Sequence, residues 1–183
     1  RLAQLITRGR RREKKGSCRL LLEDLALYAK GLHAAASAED LINAENRETK
    51  NRVNSQLNTY HDIFGARCSL LASLHLGRDD RGKLLHLQTL AHSLQIPLLA
   101  AGNVLYHKRD RRTLHETLTA IRHRTTIKQI RTLLPCNAER HLRTIPEIHR
   151  LFAGAPEAIA RSIEIADACN FSLDQLRYEY PEE

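Results

Sequence analysis

The sequence predicts an α/β fold in which parallel strands are followed by a mainly α-helical segment. Three observations predict it. Residues 68–76 and 96–104 read as apolar strands flanking an amphipathic helix at about 80–95, which makes a β-α-β unit. Beyond Tyr106 the apolar residues recur at helical spacing. The composition, 42% hydrophobic and 27% charged over 183 residues, suits one ordinary domain with a core.

Taken in order, Leu2, Leu5 and Ile6 repeat at helical spacing, and the run from Arg8 to Lys15 carries that helix into a basic turn ending at Gly16. A second helix is expected from about Leu21 to Lys30, closed by Gly31. Residues 34–59 are rich in Asn, Glu, Ala and Arg with few apolar side chains, which reads as a loosely packed helix or an insertion. Leu70, Ala72, Leu74 and Leu76 alternate with Ser69, Ser73 and His75, as in a strand with one face on a core. Asp79 and Asp80 can cap the next helix, whose stripe is Leu84, Leu87, Ala91 and Leu94. The run 96–101, apolar on both faces and carrying Pro97 near its start, fits a buried parallel strand. Leu114, Leu118 and Ile121 line a further helix. Thr144 with Pro146 starts a short one through Phe152, and Pro156 with Glu157 starts another that carries Ile159, Ile163 and Ala166 inward. Ser172 and Gln175 resemble a capping box.

Charge and composition exclude several classes. The net charge is +8, and Arg8, Arg10, Arg11, Arg12, Lys14 and Lys15 crowd one end, so a polyanion is the expected neighbour there. Aromatics make up only 4% and Trp is absent, which argues against a base-stacking surface built on many rings. The longest uncharged apolar run, 96–101, is far short of the ~20 residues a membrane span needs. Cysteines 18, 68, 136 and 169 form no CxxC pair, so reduced thiols in a cytoplasmic protein are the plain reading. The absence of Met points to an excised segment of a longer chain.

Two motif-like spacings fail on chemistry. The stretch 77–84 has phosphate-loop spacing, but Leu84 replaces the hydroxyl residue that would hold magnesium, and Asp79 and Asp80 would repel a triphosphate. His115-Glu116 resembles the start of a zinc-protease helix, yet Thr119 stands where the second His belongs. No Ser nucleophile elbow and no H-x-H pair is present. Ligands in β-α-β units gather past the carboxyl ends of strands, here Gly102-Asn103-Val104-Leu105-Tyr106-His107, where one imidazole sits beside an amide and aliphatic side chains.

Several segments in order resemble the bacterial error-prone DNA polymerases of the C family, relatives of the replicative polymerase III alpha subunit. They are Leu5-Ile6-Thr7-Arg8-Gly9-Arg10-Arg11-Arg12 with Lys15-Gly16, Leu118-Thr119-Ala120-Ile121-Arg122, Asn137-Ala138-Glu139-Arg140-His141-Leu142-Arg143, and the run from Cys169 to Glu183. The resemblance implies that residues 1–110 are the later part of a PHP (polymerase and histidinol phosphatase) domain, a distorted TIM-like barrel, and that 111–183 lead towards the polymerase palm. It implies that the H-x-H motif would precede Arg1, and that the palm carboxylates holding Mg2+ would follow Glu183. The parent would copy primer-template DNA from deoxynucleoside triphosphates in translesion synthesis and damage-induced mutagenesis. Its partners would include accessory mutagenesis proteins and the sliding clamp, with no membrane involved.

The family's Asp-x-His metal motif would fall on Asn103 and Leu105. An amide is a weaker ligand than a carboxylate and leucine cannot ligate, so only nearby His107 keeps a donor. The expectation is therefore a structural segment that binds no metal, holds no catalytic residue and is inactive alone, with Arg8, Arg10, Arg11, Arg12, Lys14 and Lys15 as nucleic-acid contacts. The rival readings are a stand-alone PHP phosphoesterase, which the missing H-x-H disfavours, and a basic nucleic-acid-binding adaptor.

Overall fold

The computed structural model describes residues 1–38 and 46–176. Parts of two expected elements, 39–45 in the stretch 34–59 and the tail 177–183, lie outside the described residues. Helices α1 (Leu2–Arg11) and α2 (Leu22–Tyr28) open the chain, followed by β1 (Ala34–Ser37), α3 (Arg47–Phe64), β2 (Cys68–Ala72), α4 (Asp80–Leu94) and β3 (Leu98–Ala100). Helices α5 (Arg112–Arg122), α6 (Ile145–Leu151) and α7 (Pro156–Ala168) complete the order, with single 3-10 turns between them. The α/β class is as expected.

Three strands form one sheet in the order β1-β2-β3, all parallel, with Ala34 opposite Cys68 and Leu70 opposite Leu98. The β-α-β unit is present, but both of its strands are shorter than the apolar runs that predicted them. Outside the strands each run still packs or bonds: Leu74 and Ile96 are buried, Leu70 N donates to Pro97 O (2.8 Å), and Ala101 N donates to Ala72 O (2.9 Å).

The alternation expected for β2 holds from Leu70 to His75, where Leu70, Ala72 and Leu74 are buried and Leu71, Ser73 and His75 are half-buried, but not at the start of the strand. Cys68, Ser69 and Leu70 are all fully buried, because this is the central strand and elements cover both of its faces. The buried Ser69 hydroxyl accepts from Arg161 Nε (3.0 Å), a partner 92 residues away that makes a serine tolerable there. Leu76, expected inward, has φ +53 and is exposed.

The stretch 34–59 is a correction as well. Ala34–Ser37 is an edge strand, for alanine's helical propensity is weak beside parallel pairing with β2 and the burial of Ala36. The helix that follows is not loose. Asn46 caps it by accepting from Thr49 N (2.8 Å), and Val53, Leu57 and Phe64, at helical spacing, are buried.

Helix α4 ends as predicted, with Gln95 in the left-handed region (φ +54) donating to Ala91 and His92 carbonyls. At its start the Asp79 side chain makes no cap bond; Asp80 instead accepts from His75 N (2.8 Å), tying the helix to the end of β2. Leu84, Leu87 and Leu90 enter a core shared with Leu57, Leu70, Ile96, Leu98 and Phe152. Thr144 starts α6 with a capping box, its hydroxyl and N–H both donating to Glu147 (2.8 Å each).

Helix α7 packs along β3 through its first turns, where Ala155 and Ala158 are fully buried. Ile159 is half-buried, but Ile163 and Ala166, expected inward, are exposed, Ile163 lining an open groove. Ser172 caps a 3-10 turn by accepting from Asp174 N (3.3 Å) rather than forming a capping box with Gln175. All four cysteines are free. Among the described residues no helix is long and apolar enough to cross a membrane.

Candidate strand-end site and nucleic-acid interface

The loop beyond β3 starts beside the carboxyl ends of the parallel strands β2 and β3, the place where ligands gather in such units. Gly102 offers its carbonyl to His75 Nε2 at 3.1 Å. Burial pushes the His75 imidazole below the ordinary histidine range, and the positive Arg140 adds to this. Asn103 sits at φ +42, a conformation that asparagine tolerates better than most side chains. Asn103, Leu105 and His107 are all exposed, while Tyr106 between them is buried.

What fastens this loop is the motif 137–143. Asn137 Nδ2 donates to His75 O (2.7 Å), Leu105 N to Arg140 O (2.8 Å), and Leu142 N to Tyr106 O (3.3 Å). Tyr106 and His141 form an isolated parallel bridge. Arg109 can only donate, so His141 Nε2 accepts from it (3.0 Å) and Nδ1 donates to Leu142 O (2.8 Å). Glu139 accepts from Arg109 (3.2 Å) and Arg143 (2.9 Å). These contacts engage Asn137, Glu139, His141, Arg109 and Arg143 in structure, whereas the buried Tyr106 and Ser73 hydroxyls have no hydrogen-bond partner among the described residues. Among the described residues no group of three or more His, Cys, Asp or Glu is gathered as a metal site. Beside the loop an apolar groove of about 440 Å³ is lined by Leu74, Val104, Leu142, Ile145, Ile148 and Ile163.

The basic end is sorted into two groups. Arg8 Nε lies 2.6 Å from Asp24, and Arg12 grips the same carboxylate with both terminal nitrogens. Asp24 is 1% exposed and also accepts from Leu21 N (2.9 Å) at the start of α2. The Arg12 hydrogen bonds, the Leu21 N–H and the Arg8 charge hold the Asp24 carboxyl far below the usual carboxylate range, and Asp24 in turn raises Arg12. Two of the six candidate cations thus pin α1 to α2, a role that sequence reasoning missed. The available signal was Asp24 itself, the acid three residues into the second helix.

Arg10, Arg11, Lys14 and Lys15 are exposed and have no side-chain partner among the described residues. Helix α1 stops at Arg11, so Lys14 and Lys15 lie on the turn beyond it. An open concavity of about 630 Å³ runs beside Gln4, Thr7, Arg8, Arg11, Arg12 and Tyr28. Gly9 is buried where the chain returns: Arg19 N donates to its carbonyl (3.0 Å), and a Cβ there would lie 2.7 Å from both Cys18 Sγ and a Leu20 methyl. This close approach is a physical reason for glycine within the Arg8-Gly9-Arg10 motif.

The fold and these surfaces define a parallel α/β unit with a helical extension and a free basic face. Over its whole length the chain is 38% identical to the error-prone DNA polymerase of Rhodopirellula baltica and 43% identical to that of Pseudomonas syringae pv. tomato. It is 37% identical to the error-prone DNA polymerase 1 of Agrobacterium fabrum. The chain spans only 16%, 17% and 16% of those three proteins, about a sixth of the length of the curated relatives it matches. No family model matches it. The chain is homologous throughout to one segment of the error-prone DNA polymerases.

Proposed function

We propose that this chain is a scaffolding segment of a DNA-directed DNA polymerase that performs error-prone, translesion synthesis in damage-induced mutagenesis and repair. The observation that carries the reading is the similarity of the chain, over its whole length, to polymerases of that name. In this reading residues 1–110 are the later part of a PHP-type barrel and 111–183 lead to the palm, where Mg2+ supports nucleotidyl transfer from deoxynucleoside triphosphates. The PHP part works without a metal of its own. The exposed amide Asn103 and the aliphatic Leu105 stand at the strand ends, and the nearby Asn137, His141 and Arg109 side chains are engaged in the hydrogen bonds that hold the loop.

The segment's contribution to DNA is electrostatic. Arg10, Arg11, Lys14 and Lys15 supply free positive charge for the phosphate backbone, while Arg8 and Arg12 keep the helix that carries them in place. The polymerase works in the cytoplasm with accessory mutagenesis proteins and the sliding clamp. Primer extension by the intact protein on plain and lesion-bearing templates tests the reading. Magnesium-dependent extension across both is the expected result. A protein that extends neither template but hydrolyses phosphoesters overturns it.

A further inference from the structure

Helix α5 is turned with its apolar side away from the body. His115, Glu116, Thr119 and Ala120 face inward; Ala120 is buried and the His115 ring meets buried Tyr106 edge-on at 5.9 Å. Leu114, Leu118 and Ile121 fall on the opposite side at i, i+4 and i+7, and they are 50%, 56% and 66% exposed. Three aliphatic side chains in one row span about 10 Å of helix, the repeat by which one amphipathic helix reads another.

Cations border the row at both ends of the helix, Arg111 before Leu114 and Arg122 directly after Ile121, and more follow in the chain beyond it. The chain after α5 folds back on it, through Thr125 N to Ala120 O (3.0 Å) and Arg112 Nη2 to Pro135 O (3.1 Å). Arg111, Arg122, Arg124, Lys128 and Arg131 of this unit are exposed with no side-chain partner among the described residues. Of the two nearby acids, Glu116 is occupied by Arg112 (2.6 Å), and only Asp110 is exposed.

We infer that this face is a docking site for a negatively charged amphipathic helix of a partner protein. Nucleic acid fits less well, because the row offers aliphatic side chains where bases need rings to stack on. A second copy fits less well too, since a symmetric pairing would bring Arg111 and Arg122 of both copies to one face. The inference is independent of whether the protein synthesises DNA.

The test is fluorescence anisotropy on the intact protein, probed with a labelled Glu- and Ala-rich helical peptide of about 15 residues carrying leucines at i, i+4, i+7 and i+11. The controls are the same peptide with its leucines scrambled and a labelled oligothymidylate. The expected result is binding that weakens at least about tenfold in Leu118→Glu, weakens in Arg124→Glu and with added salt, and is absent for the scrambled peptide. Both substitutions are at exposed positions, and unchanged circular dichroism and melting confirm that each variant is folded. No binding by the unsubstituted protein, or binding indifferent to Leu118→Glu, overturns the inference. So does oligothymidylate binding that Leu118→Glu abolishes, or a dimer in sedimentation equilibrium that the same change dissolves.

Discussion

Helices α4 and α5 carry leucine rows of the same kind, and the fold uses them in opposite ways. In α4, Leu84, Leu87 and Leu90 are 8%, 3% and 7% exposed and meet the sheet; in α5, Leu114, Leu118 and Ile121 are at least half exposed. A helical repeat shows that a helix has an apolar face, but not what that face meets. What separates the two is attachment. Helix α4 sits inside a β-α-β crossover whose two strands pair with each other, so its apolar side must cover the sheet. Helix α5 is held by polar contacts at its ends and by the inward His115, Glu116, Thr119 and Ala120, which leaves its apolar side outward.

The largest expected effect breaks the core half of this comparison. Leu87→Ala should lower unfolding stability by about 2–5 kcal/mol in urea titration, as a buried leucine leaves a cavity. Next comes the Asp24 clamp. Because folding lowers the Asp24 pKa, its contribution is present above the unfolded value near 3.8 and is lost as pH falls further. Melting curves from pH 6 to pH 3 should therefore show acid destabilisation in the native protein that is reduced in Asp24→Ala, which starts from a lower melting temperature. His75 acts in the same direction at milder pH: with its folded pKa lowered, stability present above about 6.5 declines as pH falls below it, and His75→Gln should flatten that part of the curve.

A smaller, functional effect concerns the free cations. Replacing Arg10, Arg11, Lys14 and Lys15 by Ala should weaken duplex binding and flatten the plot of log affinity against log salt, by about 0.9 for each phosphate no longer neutralised. The smallest effect sharpens the contrast with Leu87. Leu118→Ala should change stability by no more than about 0.5 kcal/mol in the same urea titration, because the side chain already stands in water.

Much of this was legible in the sequence wherever local signals and tertiary demands agree. The end of α4 at Gln95, the start of α6 at Thr144 and the parallel pairing of the two apolar runs are such cases. Ala34–Ser37 was not legible, because three alanines carry no strand signal and only pairing with Cys68–Leu71 makes them one. Ser69 looked like a solvent-facing residue because its partner, Arg161, lies on the last long helix. The basic run was visible as charge, but its division into Arg8 and Arg12 on Asp24 and four free cations depends on how α1 meets α2. At the strand ends the sequence placed Asn103, Leu105 and His107 on the loop after the second apolar run, where they are exposed; the polar network from Asn137 to Arg143 that holds this loop came from a segment with no periodic signal.

The central claim is that this segment supports DNA synthesis through fold and charge rather than through chemistry at the strand ends. Primer extension by the intact protein carrying Asn103→Ala and His107→Ala tests it most directly. The account predicts a rate within about twofold of the unsubstituted protein, since both side chains are exposed and the proposed reading gives neither a role in the chemistry. A drop of about a hundredfold, of the size that follows removal of a metal ligand or its support, would contradict it.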